Sequence, residues 1–248
     1  YVVLDPQTRD ALVIDPVLDY EAASSSTKED SVNAVIDYLR QNEARLHLVL
    51  ETHAHADHIS GSQALKTAFP GAVVAIGSRI KEVQKVFKDV FNLPADFMTD
   101  GSQFDRLLED GEKIRAGSIE IKTTFTPGHT PACVSYLIDD HLFVGDALFM
   151  PDYGTGRCDF PAGSSEDLFR SVRDRLYSLP EATKVYTGHD YMPGGRPLKF
   201  MSTIDEEKKH NVQLDDSTSR EAFVRFRNER DRTLAAPRLL LPSIQINI

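Results

Sequence analysis

The most informative stretch of the sequence reads Thr52-His53-Ala54-His55-Ala56-Asp57-His58 and follows the short apolar segment His47-Leu48-Val49-Leu50. The apolar segment has the composition of a buried strand. The stretch after it places three imidazoles and one carboxylate within six consecutive positions. Neutral imidazole nitrogens and carboxylate oxygens bind divalent transition metals, and burying such groups without a partner costs free energy. The stretch therefore predicts a metal site at the end of a strand.

Three further polar residues follow predicted strands later in the chain. They are His129 in Pro127-Gly128-His129-Thr130, Asp146 in Val144-Gly145-Asp146-Ala147, and His189 in Thr187-Gly188-His189-Asp190. Each alone has an ordinary structural explanation, because a histidine can lie in a turn and an aspartate can cap a helix. Their order after the first stretch makes them candidate ligands. The stretch and these segments together hold five of the eight histidines.

Strands and helices alternate along the whole chain, which predicts an α/β fold. We predict one domain over residues 1–248, with a C-terminal helical extension over about 212–248. Ser31 and Ser164 are predicted helix caps, and the serine-rich run 24–27 is predicted to be a loop. Further helices are predicted over Gly61–Phe69, Thr203–Asn211 and Thr218–Leu234.

The composition excludes several classes of protein. The 248 residues include 28 Lys plus Arg and 38 Asp plus Glu, a formal net charge of −10. An acidic chain gains no free energy by releasing counterions from nucleic acid, and no apolar run approaches the roughly 20 residues of a membrane-spanning helix. The two cysteines, Cys133 and Cys158, form no Cys-x-x-Cys pair, which favours small buried thiols in a reducing compartment. We therefore predict a cytoplasmic protein without nucleic-acid or membrane partners, or a mitochondrial-matrix protein if its source is eukaryotic.

The pattern of candidate ligands resembles that of the metallo-β-lactamase superfamily. The matching residues are His53-x-His55-x-Asp57-His58, followed by His129, Asp146 and His189. The resemblance implies an αββα sandwich, in which two packed mixed sheets are flanked by helices. Smaller motifs are similar to those of a longer, bacterial-type branch of the persulfide dioxygenases (sulfur dioxygenases). These motifs are Ile14-Asp15-Pro16-Val17-Leu18, Pro127-Gly128-His129-Thr130-Pro131, Gly145-Asp146-Ala147-Leu148, Gly156-Arg157-Cys158-Asp159-Phe160 and His189-Asp190-Tyr191.

The resemblance to persulfide dioxygenases implies one non-haem Fe(II) per chain, held by His53, His129 and Asp146. These three residues would be the catalytic ones, and glutathione persulfide would be oxidised by O2 to sulfite and glutathione. Two histidines and one carboxylate on one face of an iron leave open positions for both reactants. A ferrous ion with one carboxylate is also net positive, which attracts a persulfide thiolate.

Four more residues of the pattern, His55, Asp57, His58 and His189, allow two interpretations. In hydrolases of the superfamily these positions complete a two-metal site, where a bridging hydroxide attacks a carbonyl. In the dioxygenase interpretation they form hydrogen bonds to waters and orient the ligands of one iron. The alternative function is therefore a binuclear Zn or Fe hydrolase of glutathione thioesters, resembling glyoxalase II. A metal-binding protein without catalysis is a third alternative.

The substrate of either enzyme is anionic, so basic groups near the site must oppose the overall negative charge. Arg157 is the first candidate, because a guanidinium binds a carboxylate through two hydrogen bonds. Tyr191, Arg196 and Lys199 follow His189 and are further candidates for substrate binding. We interpret one arginine-rich stretch as a solvated face or as a subunit contact such as a homodimer interface. It comprises Arg220, Arg225, Arg227, Arg230 and Arg232.

Overall fold

The computed structural model describes residues 1–248 and divides them into two compact units. The first unit comprises Tyr1–Leu108, Lys113–Ile121 and Ala235–Ile248, and the second comprises Glu109–Glu112 and Lys122–Leu234. Each unit contains strands and helices of its own, and the single domain inferred from the sequence stays a prediction. None of the helices is both long and apolar enough to cross a membrane.

The first unit contains two sheets. These sheets consist of β1 (Val2–Leu4), β2 (Asp10–Ile14), β3 (Val17–Glu21), β4 (Ser26–Lys28), β5 (Arg45–Glu51), β6 (Ile59–Ser60), β7 (Val73–Gly77) and β8 (Arg106–Leu108), and the unit also contains β9 (Lys113–Ala116), which belongs to neither sheet. The larger sheet has the order β1-β2-β5-β7-β8 and is mixed, because β1 is antiparallel to β2 and the other neighbours are parallel. Strand β5 lies between two parallel neighbours and is mostly buried, as its apolar composition predicts. The smaller sheet has the order β4-β3-β6.

Seven α-helices are distributed over the two units. They are α1 (Asp30–Gln41), α2 (Ser62–Ala68), α3 (Ile80–Val90), α4 (Ser165–Arg170), α5 (Ile204–His210), α6 (Arg220–Asp231) and α7 (Leu240–Asn247). Helices α4 to α6 belong to the second unit and the others to the first. In α1 the buried residues Val32, Ile36 and Leu39 are spaced by four and three, so they share one face. The helices predicted over Gly61–Phe69, Thr203–Asn211 and Thr218–Leu234 are confirmed as α2, α5 and α6.

Two local predictions in the first unit are wrong. Ser31 does not cap α1 but lies inside it, where its backbone N–H and its hydroxyl both donate to the Asp19 carboxylate at 2.7 Å. The predicted loop over residues 24–27 instead enters strand β4 at Ser26, which pairs with β3. In both places a partner on β3 outweighs the local preference of serine for caps and loops.

The second unit is built on one mixed sheet. Its strands are β10 (Ile119–Phe125, with the second unit beginning at Lys122), β11 (Val134–Ile138), β12 (His141–Phe143), β13 (Lys184–Tyr186) and β14 (Met201–Thr203). They follow the order β14-β13-β12-β11-β10, and only β12 and β13 are parallel. Ser164 caps α4 by accepting the Asp167 N–H, as predicted, and the helix continues as a π-helix over Ser171–Leu176.

One face of α6 corrects the interpretation of the arginine-rich stretch. Phe223, Arg227 and Asp231 are all buried, and the Arg227 side chain is only 1% exposed. Positions four apart share one face of a helix, so the buried Phe223 turns Arg227 and Asp231 toward the interior as well. The prediction of a solvated or subunit-contacting face is therefore wrong for Arg227.

Both cysteines, Cys133 and Cys158, are buried thiols of the second unit, as predicted. The Cys133 sulfur accepts the backbone N–H of Thr130 at 3.3 Å. Burial raises the pKa of the Cys158 thiol well above its ordinary value. Both side chains therefore pack as small apolar groups.

Candidate metal centre

The first ligand stretch begins where β5 ends, in the first unit. Thr52 follows the last residue of β5, and both its backbone N–H and its hydroxyl donate to the Asp15 carboxylate at 2.7 and 2.8 Å. Asp15 itself follows β2, with a left-handed backbone at φ 49°. Two adjacent parallel strands thus end beside each other and their terminal residues hold the start of the stretch.

The hydrogen bonds of Thr52 determine the orientation of His53. The Nδ1 atom of His53 lies 3.0 Å from the Thr52 hydroxyl oxygen. Because the hydroxyl proton is donated to Asp15, the oxygen accepts the Nδ1–H of His53. The lone pair of the buried His53 ring is therefore at Nε2, the nitrogen that can bind a metal.

His55 is buried between two carboxylates of the first unit. Its Nε2 lies 3.0 Å from Asp15 Oδ1 and 3.4 Å from Glu51 Oε2. Burial by itself lowers the pKa of His55, but the charge and hydrogen bond of Asp15, with those of Glu51, outweigh it and raise the pKa well above 6.5. With Nε2 of His55 held by the carboxylates, a metal that binds Nδ1 would displace the proton there.

The histidines of this stretch lie close together. Ring centroids are 4.1 Å apart for His53 and His55, and 4.2 Å apart for His55 and His58. The Nδ1 of His58 is 3.3 Å from the Asp57 carboxylate. Three imidazoles and one carboxylate, all potential metal ligands, are thus concentrated at the end of β5.

Asn247 on α7 holds the far end of the same stretch. Its side-chain amide donates to the backbone oxygens of His55 and His58 at 2.9 Å each, and its oxygen accepts the Ser60 N–H at 2.9 Å. Asn247 was not predicted as part of the site, and no sequence signal marks it, because Ser243 and Gln245 on the same helix are polar as well.

In the second unit, His129 is oriented by a backbone carbonyl. Its Nδ1 lies 2.6 Å from the oxygen of Arg157, and a carbonyl only accepts, so Nδ1–H is the donor. The other nitrogen, Nε2, lies 3.6 Å from Asp146 Oδ2. His129 and Asp146 are both buried, so this contact is shielded from water.

Asp146 lies between two histidines of the second unit. Its Oδ1 is 3.6 Å from Nε2 of His189, opposite the contact with His129. Close packing of glycine backbone surrounds it: a Cβ added to Gly188 would lie 2.8 Å from Asp146 Oδ1, and one added to Gly156 would overlap the Asp146 backbone oxygen. Glycine is therefore required at both positions for the carboxylate to lie there.

The two predicted substrate-binding arginines already contact carboxylates. The guanidinium of Arg157 binds both oxygens of Asp159, at 2.5 and 2.6 Å. Arg196 binds Asp152 at 2.5 and 2.7 Å and Asp190 through two bonds of 2.7 Å. The hydrogen bonds from Arg196 lower the pKa of Asp190 to about 2.

The other two predicted substrate-binding residues lie near His189. Tyr191 is 51% exposed, and its ring stacks on that of Tyr153 with a centroid distance of 4.3 Å. The ring centroid of His189 is 5.9 Å from that of Tyr191. The backbone N–H of Lys199 donates to Asp190 at 2.7 Å.

The chain carries a candidate His/Asp metal site, and its donors fit a divalent metal. Three groups of side chains could each hold one ion: His53 with His129 and Asp146, His55 with Asp57 and His58, and Asp15 with Glu51 and His55. The first group is the set that the sequence predicts. His53 and His129 each donate their Nδ1–H to an oxygen, which is the usual way a protein orients a metal-binding imidazole.

Mixed sheets with accompanying helices and a His/Asp ligand set define a class of metal-dependent enzymes, those with the metallo-β-lactamase fold. The chain belongs to the metallo-beta-lactamase superfamily, whose family model matches residues 1–189. The fold class predicted from the sequence is thereby confirmed.

Three similar proteins place the chain within the superfamily. It is 48% identical to glyoxylase B2 of Dictyostelium discoideum over 100% of this chain and 85% of that protein. It is 33% identical to the mitochondrial persulfide dioxygenase ETHE1 of Homo sapiens, over 91% of this chain and 74% of that protein. The crystal structure of ETHE1 from Myxococcus xanthus matches with a TM-score of 0.78 and 31% identity, covering 100% of this chain and 91% of that one. Persulfide dioxygenases are therefore among its relatives, as the sequence motifs predicted.

Proposed function

We propose that the chain is an Fe(II)-dependent persulfide dioxygenase that oxidises glutathione persulfide with O2. The balanced reaction converts one persulfide, one O2 and one water into one glutathione, one sulfite and two protons. The outer sulfur is oxidised from formal state zero to plus four, and O2 accepts the four electrons. No further oxidant or reductant is required.

The observation that carries the proposal is the orientation of the two imidazoles. Nδ1–H of His53 and of His129 each donates to a protein oxygen, so each Nε2 can bind a metal. With Asp146 they supply the two-histidine, one-carboxylate donor set of non-haem iron oxygenases. A ferrous ion held by these three residues would supply the redox chemistry between persulfide and O2. The similarity to proteins named ETHE1 supports the same reaction.

The remaining residues of the pattern act on the ligands in this proposal. His189 lies against one oxygen of Asp146 and restricts the rotation of the carboxylate. Asp15 orients His53 through the Thr52 hydroxyl. His55 is oriented by Asp15 as well, so one buried carboxylate orients two histidines.

Four residues are proposed to bind the glutathione part of the substrate: Arg157, Tyr191, Arg196 and Lys199. The Arg157 side chain is 21% exposed, and a substrate carboxylate would replace Asp159 on its guanidinium. Tyr191 offers an exposed ring beside His189. Arg196 acts mainly by holding Asp190, because its guanidinium already binds two carboxylates.

A binuclear hydrolase of glutathione thioesters is the second candidate function. Two observations favour it: the relative named glyoxylase B2 and the group His55, Asp57 and His58, whose ligand atoms lie within 4.8 Å of one another. These three residues would hold a second Zn or Fe. Two metals held in this way would supply an activated water as the nucleophile of a hydrolase.

One paired experiment separates the two candidates. The purified protein is analysed for metal content, then assayed for O2 uptake with glutathione persulfide and for cleavage of S-lactoylglutathione. About one iron per chain with persulfide-dependent O2 uptake and sulfite formation supports the dioxygenase. Two metals per chain with thioester cleavage and no O2 uptake would overturn it in favour of the hydrolase.

The proposal also includes the compartment. Persulfides are reactive toward thiols, and both cysteines of this chain are buried as thiols. We propose a reducing compartment, the cytoplasm, as the place where the enzyme meets its substrate.

A further inference from the structure

A buried ion pair lies on α6, outside the residues described so far as ligands or substrate contacts. The guanidinium of Arg227 binds Asp231 with a shortest contact of 2.6 Å, and their side chains are only 1% and 5% exposed. The two residues are four apart on the helix, and Nε of Arg227 also donates to both carboxylate oxygens. Neither residue is explained by the proposed reaction.

The ion pair holds the backbone of the loop Tyr153–Cys158. Nη1 of Arg227 donates to the backbone oxygen of Thr155 at 3.1 Å. Oδ2 of Asp231 accepts the backbone N–H of Cys158 at 2.8 Å. The pair therefore contacts the loop at two points, three residues apart.

A buried glutamine joins the ion pair to the start of the loop. Gln213 accepts a hydrogen bond from Arg227 at 2.9 Å and the backbone N–H of Thr155 at 3.1 Å. Its side-chain N–H group donates to the backbone oxygen of Tyr153 at 2.6 Å. Gln213 thus holds two further backbone groups of the loop, those of Tyr153 and Thr155.

The same loop holds two of the proposed iron ligands. The backbone oxygen of Arg157, between the two points held by the ion pair, accepts Nδ1–H of His129 at 2.6 Å. Gly156, next to it, packs so closely on the Asp146 backbone that a Cβ could not be accommodated. A displacement of the loop would therefore rotate His129 and release Asp146.

We propose that Arg227 and Asp231 are positioning residues that set the geometry of His129 and Asp146 through the loop Tyr153–Cys158. The inference rests on the proposed metal site but not on the proposed reaction. It assigns a role in metal binding to two residues of α6 that contact neither metal nor substrate. Outer partners of metal ligands typically change metal affinity by about 10- to 100-fold.

The energetics of buried ion pairs support a positioning role. Two charges removed from water lose most of their hydration, and their mutual attraction often does little more than compensate. A pair of apolar side chains at positions 227 and 231 would serve the packing of Phe223 and its neighbours equally well. Apolar side chains, however, could neither donate to the Thr155 backbone oxygen nor accept the Cys158 backbone N–H.

The test is the double variant Arg227→Met/Asp231→Leu, which removes both charges together and so leaves no unpaired charge. Co(II) affinity is measured by competition with a chelator at 25 °C, with circular dichroism to establish that the protein is folded there. We expect the dissociation constant for Co(II) to rise about 10- to 100-fold and the visible Co(II) spectrum to change. A folded double variant with a dissociation constant within about twofold of the parent overturns the inference.

A matched control separates positioning from loss of stability. Val172→Ala creates a cavity in the core of the same unit but removes no hydrogen bond from the loop, and we expect it to lower the melting temperature and leave Co(II) affinity unchanged. If Val172→Ala weakens Co(II) binding as much as the double variant, the inference is wrong. Should the double variant not fold, Arg227→Lys decides instead: it keeps the charge but loses the forked contacts, so Co(II) affinity should fall by a few fold, and an unchanged affinity overturns the inference.

Failure of the inference and failure of the proposed function give different results. Normal Co(II) binding by the parent protein without O2 uptake removes the dioxygenase and leaves the positioning role testable by affinity. Persulfide-dependent O2 uptake by the parent protein, with unchanged Co(II) affinity in the double variant, removes the positioning role alone. No binding of Co(II) or Fe(II) by the parent protein overturns both.

Discussion

The two regions that carry metal ligands are held in place by different chemistry. In the first unit, the stretch after β5 is held by the neutral amide of Asn247 and by Asp15. In the second unit, the loop behind His129 is held by the ion pair of Arg227 and Asp231. Asn247 lies on α7, and Arg227 and Asp231 lie on α6. All three side chains bind backbone groups of the segments that carry or orient the ligands.

The difference between the regions lies in charge and titration. Asn247 has no ionisable group, and its three hydrogen bonds do not change between acidic and neutral pH. The second region contains an ion pair and the buried carboxyl group of Glu207, which accepts a hydrogen bond from Asn211, a residue that also binds the Gly154 backbone oxygen. We therefore expect the support given by Asn247 to be independent of pH, whereas the loop near Glu207 should respond to pH.

The largest expected effect is removal of a ligand, which should act equally in both regions. We expect His53→Ala, in the first unit, and His129→Ala or Asp146→Ala, in the second, each to lower metal affinity by at least about 100-fold. Each variant removes one of the donors that hold the ion, whereas an outer partner only adjusts them. Metal content after dialysis measures the loss, and full occupancy in any of the three variants would show that its residue is not a ligand.

The next largest effect concerns Glu207. Burial raises its pKa to about 8 from an ordinary 4.5, although hydrogen bonds from Ser202 and Asn211 act in the opposite direction. Asn211 also donates to the backbone oxygen of Gly154, so this carboxyl group adjoins the loop support. Because the folded state keeps a proton that the unfolded state releases, stability should fall as the pH rises from about 4.5 to about 8.

Glu207→Gln should remove that fall. We expect the variant to be more stable than the parent by on the order of 3 kcal/mol at pH 8, with the gain shrinking toward pH 5. Urea unfolding at several pH values measures the difference, and the exposed Glu229→Gln serves as the control. A gain that does not vary with pH would show that titration of Glu207 does not make the stability of the second unit depend on pH.

The neutral support of the first region gives a smaller effect. We expect Asn247→Leu to lower the free energy of unfolding by about 1–3 kcal/mol, since buried backbone groups of His55, His58 and Ser60 lose their partner. The loss should be the same at pH 6 and pH 8, in contrast to the second region. The neighbouring exposed Gln245→Ala should be neutral, and an equal loss from it would show that α7 acts only through its helix.

The smallest effect is expected for Arg157, whose side chain and backbone carbonyl have separate roles. Arg157→Ala removes the guanidinium but keeps the carbonyl that orients His129, so metal affinity should stay unchanged. The KM for glutathione persulfide should rise about tenfold, as expected for one lost charge-assisted contact. Asp159→Asn should lower the KM or leave it unchanged, because the side chain that competes for Arg157 loses its charge. If Arg157→Ala leaves the KM unchanged, glutathione is bound elsewhere.

Much of the candidate site is visible in the sequence because metal ligands must be particular residue types. His53, His129 and Asp146 were predicted as one set, and they form one of the groups that could hold a metal. Helices with regular apolar spacing were also predicted, including α1 and α3. These features depend on local composition, which the sequence displays directly.

Other parts of the site could not be predicted, because the partners are far apart in the chain. Asn247 lies 192 positions from His55, and Arg227 lies 72 positions from Thr155. Among five arginines in one stretch, nothing local distinguishes the buried Arg227 from its exposed neighbours. Serine commonly caps helices, yet Ser31 lies inside α1, where its hydroxyl donates to Asp19 on β3.

The amino-acid sequence by itself determined the superfamily, the identity of the candidate ligands and their order along the chain, because metal chemistry restricts which side chains can serve. Only the tertiary structure decided which nitrogen of His53 and of His129 is available, since each tautomer follows from a partner on another segment or residue. It also decided that two arginines of this chain, whose net charge is −10, form ion pairs within the chain. Arg157 binds Asp159, and Arg227 binds Asp231. Side-chain direction and burial are set by packing between distant segments, and a linear pattern does not contain them.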